Sequence, residues 1–235
     1  KFVFAREVTG LRTAGTKRIL TLSDGRELRT MAVVAATGAK YRRLEVPALE
    51  RFVGRSVFYT TFGETKFVRD FDVAVTGGGN SAGQAAIHLA AFARRVTLVV
   101  RASSLDKGMS DYLVRQIRST PNVDVRVNAE VTGGEGGELL ERLSIRDNAT
   151  GAVETIPARL LFVLIGALPN TEWLAGRVQR DGKNFIRTGK DVDLGDWPLA
   201  RRPMKFETSQ PGLFAAGDVR LGSMKRLASA VGEGA

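Results

Sequence analysis

The sequence predicts an α/β protein built on a doubly wound parallel sheet, and three observations carry that prediction. The apolar strand Phe71-Asp72-Val73-Ala74-Val75-Thr76 runs into Gly77-Gly78-Gly79-Asn80-Ser81-Ala82-Gly83 and then into a helical stretch from Gln84 to Ala93. A second apolar strand (RRVTLVVR), a second amphipathic helix (DYLVRQIRST, ending before Pro121) and a third strand (VDVRVNAEV) follow in strict alternation. Parallel strands need a helix-length connection between them, so this alternation reads as a parallel sheet. Finally, short alternating segments without helices lie on both sides, so β-meanders accompany the sheet.

From Phe2 to Val34 the pattern is FVFAREV, TAGTK, RILTLS, the turn Asp24-Gly25 and ELRTMAVVAA. Asp-Gly between two alternating runs is a hairpin signal, and AVVAATG reads as a buried strand entering a glycine turn. The basic, proline-containing stretch KYRRLEVPALERF reads as a hinge or boundary. Beyond the alternating centre, the tract Gly133 to Gly137 reads as a hairpin turn, and ERLSIRD with AVETIPARLLFVLIG reads as a second meander. From Ala167 to Ser209 the chain is loop-rich; GLFAAGDVR then reads as a strand, and SMKRLASAVGEGA as the start of a helix. A helix cut off with its apolar face pending is expected of a piece of a longer protein.

The 235 residues, 43% of them apolar and 26 of them glycine, allow one large domain or two small ones with a sizeable core. No window approaches the roughly 18 uninterrupted apolar residues of a membrane span, and KFVFAREVTG lacks the pattern of a signal peptide, so a soluble, cytoplasmic protein with no membrane partner is expected. Zero cysteines exclude disulfides, thiolate metal sites and thiol catalysis within this chain. The single histidine, His88, lies in AAIHLAAFA and reads as a packed helix residue; no metal site is expected. Thirty-five Lys and Arg against 25 Asp and Glu give a net charge of +10, which suits an anionic ligand or an acidic partner. The basic residues are scattered, without a basic helix interleaved with aromatics, so no nucleic-acid binding is expected.

The glycine loop has the form strand, G-x-G-x-x-A at Gly77, Gly79 and Ala82, then helix. The first glycine permits the tight turn, the second lets backbone approach a pyrophosphate, and small Ala82 lets the helix pack close, which points to a dinucleotide. The next strand ends in Arg101, where an acidic residue would mark NAD. A cation there can pair with a 2′-phosphate and favours NADPH, with Ser103 and Ser104 as further hydrogen-bonding groups. Gly217-Asp218, after a buried strand, can accept hydrogen bonds from ligand hydroxyls or act as a helix cap.

Four segments together, ATG at Ala36 to Gly38, VTGGGNSAGQAA at Val75 to Ala86, FVLIGALPNT at Phe162 to Thr171 and ETSQPGLFAAGDVR at Glu207 to Arg220, resemble the low-molecular-weight thioredoxin reductase family over nearly the whole chain. The resemblance implies two Rossmann-like dinucleotide-binding domains, an NADPH domain inserted into a split and here incomplete FAD domain. Residues 1–52 and 166–235 are then FAD-domain pieces, and 53–165 the NADPH domain. It places FAD contacts at the backbone of Val8, at Thr37 and Gly38, at Gly217 and Asp218 beside the ribityl chain, and at Arg226 and Leu227 beside the flavin ring. Nicotinamide-nucleotide contacts fall at Gly77, Gly79, Asn80, Ser81, Ala82, Arg101, Ile165 and Gly166.

Two departures matter. The family's Cys-x-x-Cys matches Thr60-Thr61-Phe62-Gly63, so no dithiol relay is expected in this chain, and further basic positions of the 2′-phosphate motif are Ala102 and Asp106. The family's FAD pyrophosphate loop is expected before Lys1. The resemblance therefore implies an NADPH-dependent flavoprotein reductase passing hydride to FAD and on to an external acceptor. An acidic electron-transfer protein, as for ferredoxin–NADP reductases of this type, is one acceptor that the positive charge suits, and dimers are usual in such families. No side chain is assigned a catalytic role. The alternative is a redox-inactive nucleotide-binding regulatory module.

Overall fold

The computed structural model describes residues 2–60, 65–195 and 197–235. In chain order its elements are β1 (Val8–Ala14), β2 (Lys17–Leu22), β3 (Glu27–Thr30), β4 (Val33–Ala35), β5 (Ala39–Tyr41), β6 (Val57–Phe58), α1 (Thr65–Val68), β7 (Asp72–Thr76), α2 (Asn80–Ala90), β8 (Arg95–Val99), α3 (Asp111–Ser119), β9 (Val123–Arg126), β10 (Ala129–Glu135), β11 (Arg142–Asp147), β12 (Val153–Pro157), β13 (Leu160–Val163), β14 (Ala167–Pro169), β15 (Leu213–Ala215) and α4 (Leu227–Gly234). They divide into two compact units, Lys1–Lys40 with Ala167–Ala235, and Tyr41–Gly166, the second interrupting the first in sequence.

The second unit holds the predicted parallel sheet, in the order β6-β13-β7-β8-β9. Its central strands are buried almost end to end because both faces are covered, which is why they read as unbroken apolar runs. Alternate residues serve different cores. Leu160 and Phe162 of β13, with Val73 and Val75 of β7, pack among α2 and α3 residues such as Leu89, Val114 and Ile117. Leu161 and Val163, with Ala74, face the opposite way onto Leu143 and Ile145 of the antiparallel β10-β11-β12 sheet.

The packing corrects several of the expectations from sequence. The boundary expected in KYRRLEVPALERF falls at its first residues, between Lys40 and Tyr41, but the rest is no linker: Leu49 and Phe52, on the 3-10 turn Pro47–Phe52, lie in that second core at 3% and 0% exposure. VDVRVNAEV is not one strand. Asn128, with φ 49°, breaks it into β9, parallel to β8, and β10, antiparallel to β11. Gly133 and Gly134 sit inside β10, and the hairpin connection to β11 begins only at Gly136; glycine is needed at 134 because a Cβ there would lie 2.3 Å from the Leu49 side chain. His88 is exposed and meets the Phe92 ring edge-on at 5.6 Å instead of packing in the core. FVFAREV forms no strand before Val8.

The first unit carries the antiparallel β1-β2-β3 meander, turned at Asp24-Gly25 as the sequence predicts, a parallel pair of β4 with β15, and β14 paired with β5. Leu11, Val33, Ala35, Ile186, Leu213 and Val219 form its core. A charged group is buried at its margin. Glu207 is 0% exposed and accepts hydrogen bonds from both terminal nitrogens of Arg201, at 2.7 and 2.9 Å, and from the backbone N–H groups of Met204 and Gly212. Those donors, Arg201 foremost, hold its pKa at about 2, against the ordinary value of 4.5.

Phe52→Ala should destabilise the second unit by about 3–5 kcal/mol. The change must be read by circular dichroism, because both tryptophans, Trp173 and Trp197, lie in the first unit. The depressed Glu207 carboxyl stabilises the folded form at and above pH 4.5, and that contribution is lost as pH falls through about 2. Urea unfolding followed by tryptophan fluorescence should show this acid loss, and Glu207→Gln should flatten it.

Candidate nucleotide and flavin sites

In the second unit the strand order reverses beside β7. Its α2 crossover leads to β8 on one side, while β13 lies on the other, which is the topology at whose carboxyl edge open α/β sheets take their ligands. The glycine loop sits at that point. Gly77 has φ 147° and leaves so little room that a Cβ on it would lie 2.3 Å from the Leu164 carbonyl oxygen. Its N–H donates to the Val99 carbonyl at 3.0 Å, and Leu164 N–H donates to the Thr76 carbonyl at 2.8 Å, so the ends of three strands are bonded around the loop. Ala82 is fully buried, its methyl 3.0 Å from the same Gly77 Cβ position, which explains the small residue there.

Gly79 caps α2 without any side-chain cap bond, and the N–H groups of Ala82 and Gly83 turn back to its carbonyl at 3.0 and 3.2 Å. Among the described residues, the N–H groups of Asn80 and Ser81 have no partner. Two open donors at the positive end of an eleven-residue helix form an anion-binding cradle, which fits a dinucleotide pyrophosphate. The Asn80 side chain is already engaged: its Oδ1 accepts the Ser110 N–H at 2.8 Å, joining the start of α3 to the start of α2. Beside that bond the Ser110 hydroxyl is buried and, among the described residues, has no partner. Sequence reasoning missed Ser110, which belongs to no motif.

Arg101 follows the last buried residue after β8, is exposed, and among the described residues takes part in no ion pair. Its loop is held from below, the Asn128 N–H donating to the Ala102 carbonyl at 2.9 Å, while Asp106 is drawn away to Arg118 at 3.3 Å. Ile165 and Gly166 follow β13, and the Gly166 carbonyl accepts the Arg42 N–H at 3.0 Å. The predicted nicotinamide-nucleotide residues are thus gathered at the carboxyl ends of β7, β8 and β13. Two surface cavities, of about 190 and 360 Å³, touch none of these residues.

In the first unit, Thr37 and Gly38 are clamped to Asn170. The Thr37 hydroxyl donates to the Asn170 carbonyl at 2.8 Å, the Asn170 amide returns a bond to the Thr37 carbonyl at 2.7 Å, and its N–H reaches the Gly38 carbonyl at 3.0 Å. Asn170 lies within FVLIGALPNT, but its anchoring role has no local signal. Gly217, with φ 74°, opens the turn Gly217–Val219, and a Cβ on it would lie 3.2 Å from that of Ala230 in α4. Arg226 is the N-cap residue of α4, and Leu227, its first residue, is 84% exposed. Lys225 lies 4.1 Å over the Phe185 ring, and burial lowers its pKa while the nearby Asp218 opposes that shift. Val8 stays on the meander, paired with Leu22, and among the described residues shares no hydrogen bond with these segments. In the stretch matched to Cys-x-x-Cys, Thr60 is half-buried and residues 61–63 lie outside the described residues.

Gly77→Ala should drive a methyl into the Leu164 carbonyl and cost more than about 2 kcal/mol of stability together with nucleotide binding, measured by denaturation and by NADPH titration.

Three similarities bear on identity. Two curated relatives are both alkyl hydroperoxide reductase subunits of the F type. The one from Pseudomonas putida is 38% identical over 91% of this chain and 38% of its own length, and the one from Escherichia coli strain K12 is 36% identical over 94% and 39%. The chain therefore spans about two fifths of these relatives. Among solved structures, thioredoxin reductase from Streptococcus pyogenes MGAS5005 superposes with a TM-score of 0.75 at 30% identity, covering 97% of this chain and 70% of that one. Among the described residues no helix is long and apolar enough to cross a membrane. The pyridine nucleotide-disulphide oxidoreductase family model matches residues 1–234, and the chain belongs to that family.

Proposed function

We propose that the chain is the nicotinamide-nucleotide-binding unit, together with part of the flavin-binding unit, of an NADPH-dependent flavoprotein reductase that passes electrons to an external acceptor without a Cys-x-x-Cys in this stretch. The carrying observation is the glycine loop at the sheet's switch point, with open N–H donors at Asn80 and Ser81 and the exposed Arg101 at the end of the next strand. Under this reading Tyr41–Gly166 is the NADPH unit and the remainder belongs to the FAD unit. Gly77, Gly79, Asn80, Ser81 and Ala82 receive the pyrophosphate, Arg101 the 2′-phosphate, and Ile165 and Gly166 line the nucleotide site. Val8, Thr37, Gly38, Gly217, Asp218, Arg226 and Leu227 hold FAD.

Bound FAD supplies a two-electron acceptor for the nicotinamide hydride. The chain's own groups bind and orient; no side chain is required to move a proton. The stretch matched to the family's Cys-x-x-Cys, Thr60-Thr61-Phe62-Gly63, holds no cysteine, which supports a route from flavin that bypasses a dithiol at this position. An acidic protein acceptor is favoured by the charge distribution, since the first unit carries 19 Lys and Arg against 11 Asp and Glu and the second 16 against 14. A homodimer in the cytoplasm completes the reading.

The test is the visible spectrum of the purified full-length protein during anaerobic addition of NADPH. A flavin band that bleaches is expected. A colourless protein that still binds NADPH would instead establish the redox-inactive regulatory module. Arg101→Ala should weaken NADPH binding by about tenfold or more while leaving NADH binding unchanged, as expected for a charge-assisted bond to the 2′-phosphate; nucleotide fluorescence titration measures both.

A further inference from the structure

We infer that Glu233, acting with Arg220, is a positioning residue that sets the spacing between the Gly217–Asp218 turn and the start of α4 at Arg226 and Leu227. The inference rests on the reading that these two segments hold the flavin.

None of the eight residues of α4 is buried, and its apolar side chains Leu227 and Val231 are 84% and 64% exposed. Among the described residues, polar contacts hold the helix to the rest of its unit. Among the described residues, all of its side-chain hydrogen bonds are made by Glu233. One carboxylate oxygen accepts both the Gly217 N–H, at 2.8 Å, and Arg220 Nε, at 3.2 Å, and the other accepts Arg220 Nη2 at 2.5 Å. Both side chains are largely enclosed, at 14% and 13% exposure, so the pair works in a medium where charge-assisted bonds are strong.

Arg220 is itself held on several sides. It donates to the Leu221 carbonyl at 3.0 Å and the Thr188 hydroxyl at 3.5 Å, and its guanidinium lies 5.2 Å from the Phe206 ring centre. Ala230, three residues before Glu233 and so on the same helix face, is the residue that closes on Gly217. One carboxylate thus joins a backbone amide of the turn, a rigidly placed cation and the helix. Its bond to Gly217 N–H orients the Ala216–Gly217 peptide at the entry to the turn, and its place on α4 carries the N-cap residue Arg226 with it. The proton on Gly217 nitrogen is already committed, so Gly217 contributes to the flavin site through its conformation rather than through its N–H.

The test uses the full-length protein, with FAD removed and added back to wild type, Glu233→Ala and Glu233→Gln. FAD affinity is followed by flavin fluorescence, and the absorbance spectrum and midpoint potential are recorded on the bound fraction. Glu233→Ala should lose about tenfold in FAD affinity, as expected for removing charge-assisted bonds, and shift both the band and the potential of the flavin that still binds. Glu233→Gln, which keeps an acceptor for the Gly217 N–H but loses the charge facing Arg220, should fall between; it carries the test if the alanine variant folds poorly. Unchanged affinity, or weaker binding with an unchanged spectrum and potential, overturns the inference and leaves Glu233 a packing residue. A wild-type protein that binds no FAD overturns the reading of the two segments, and this inference with it.

Discussion

A strand covered on both faces has no solvent side on which to place a charged side chain, and that constraint organises the whole of the second unit. β7, β8 and β13 are buried along almost their full length, Thr76 and Thr97 included, because α2 and α3 cover one face and the β10-β11-β12 sheet covers the other. Polar chemistry is displaced to where the strands stop. The glycine loop, the Arg101 loop and the Leu164–Gly166 segment all leave the carboxyl end of the same sheet, and the close approach of Gly77 to the Leu164 carbonyl binds two of them together. A sheet edge bordered by backbone donors at a helix start suits an elongated anionic ligand better than a compact apolar one.

The first unit solves its packing differently. Its sheet pieces are short, its core small, and several segments without regular structure are anchored by individual polar side chains: Asn170 on Thr37 and Gly38, Glu207 on Arg201 and two backbone amides, Glu233 on Gly217 and Arg220. Loops fixed in this way hold their shape through a few satisfied bonds, and those of Glu207 and Glu233 are the expensive ones to break, because these carboxylates are enclosed. Most of the chain's excess positive charge also resides here, beside the segments assigned to flavin and near any partner that reaches it.

Much of this was legible in the sequence wherever the signal is local. The strand, glycine turn and helix at Phe71 to Ala93, the hairpin at Asp24-Gly25 and the amphipathic α3 each depend on neighbours a few residues away, and each forms close to where the pattern places it. Misreadings share a cause. Gly134 looks like a turn residue, yet it is required by Leu49, eighty-five positions earlier, whose side chain fills the space above the strand. KYRRLEVPALERF has the composition of a linker, but two of its apolar residues reach a core built from residues a hundred positions away. His88 sits in an apolar run, and only the direction in which α2 faces its sheet leaves it exposed.

By itself the sequence determined the alternation of strands and helices, the position of the glycine loop, the cation at the end of the second sheet strand and the impossibility of thiol chemistry within the chain, because periodicity, spacing and residue type are local properties. Only the tertiary structure decided which loops meet at the switch point, that Asn80 spends its side chain on α3, that VDVRVNAEV divides between two sheets, and that Glu233 links α4 to Gly217. Those are contacts between segments distant along the chain, and their energies depend on burial and direction, which no one-dimensional pattern encodes.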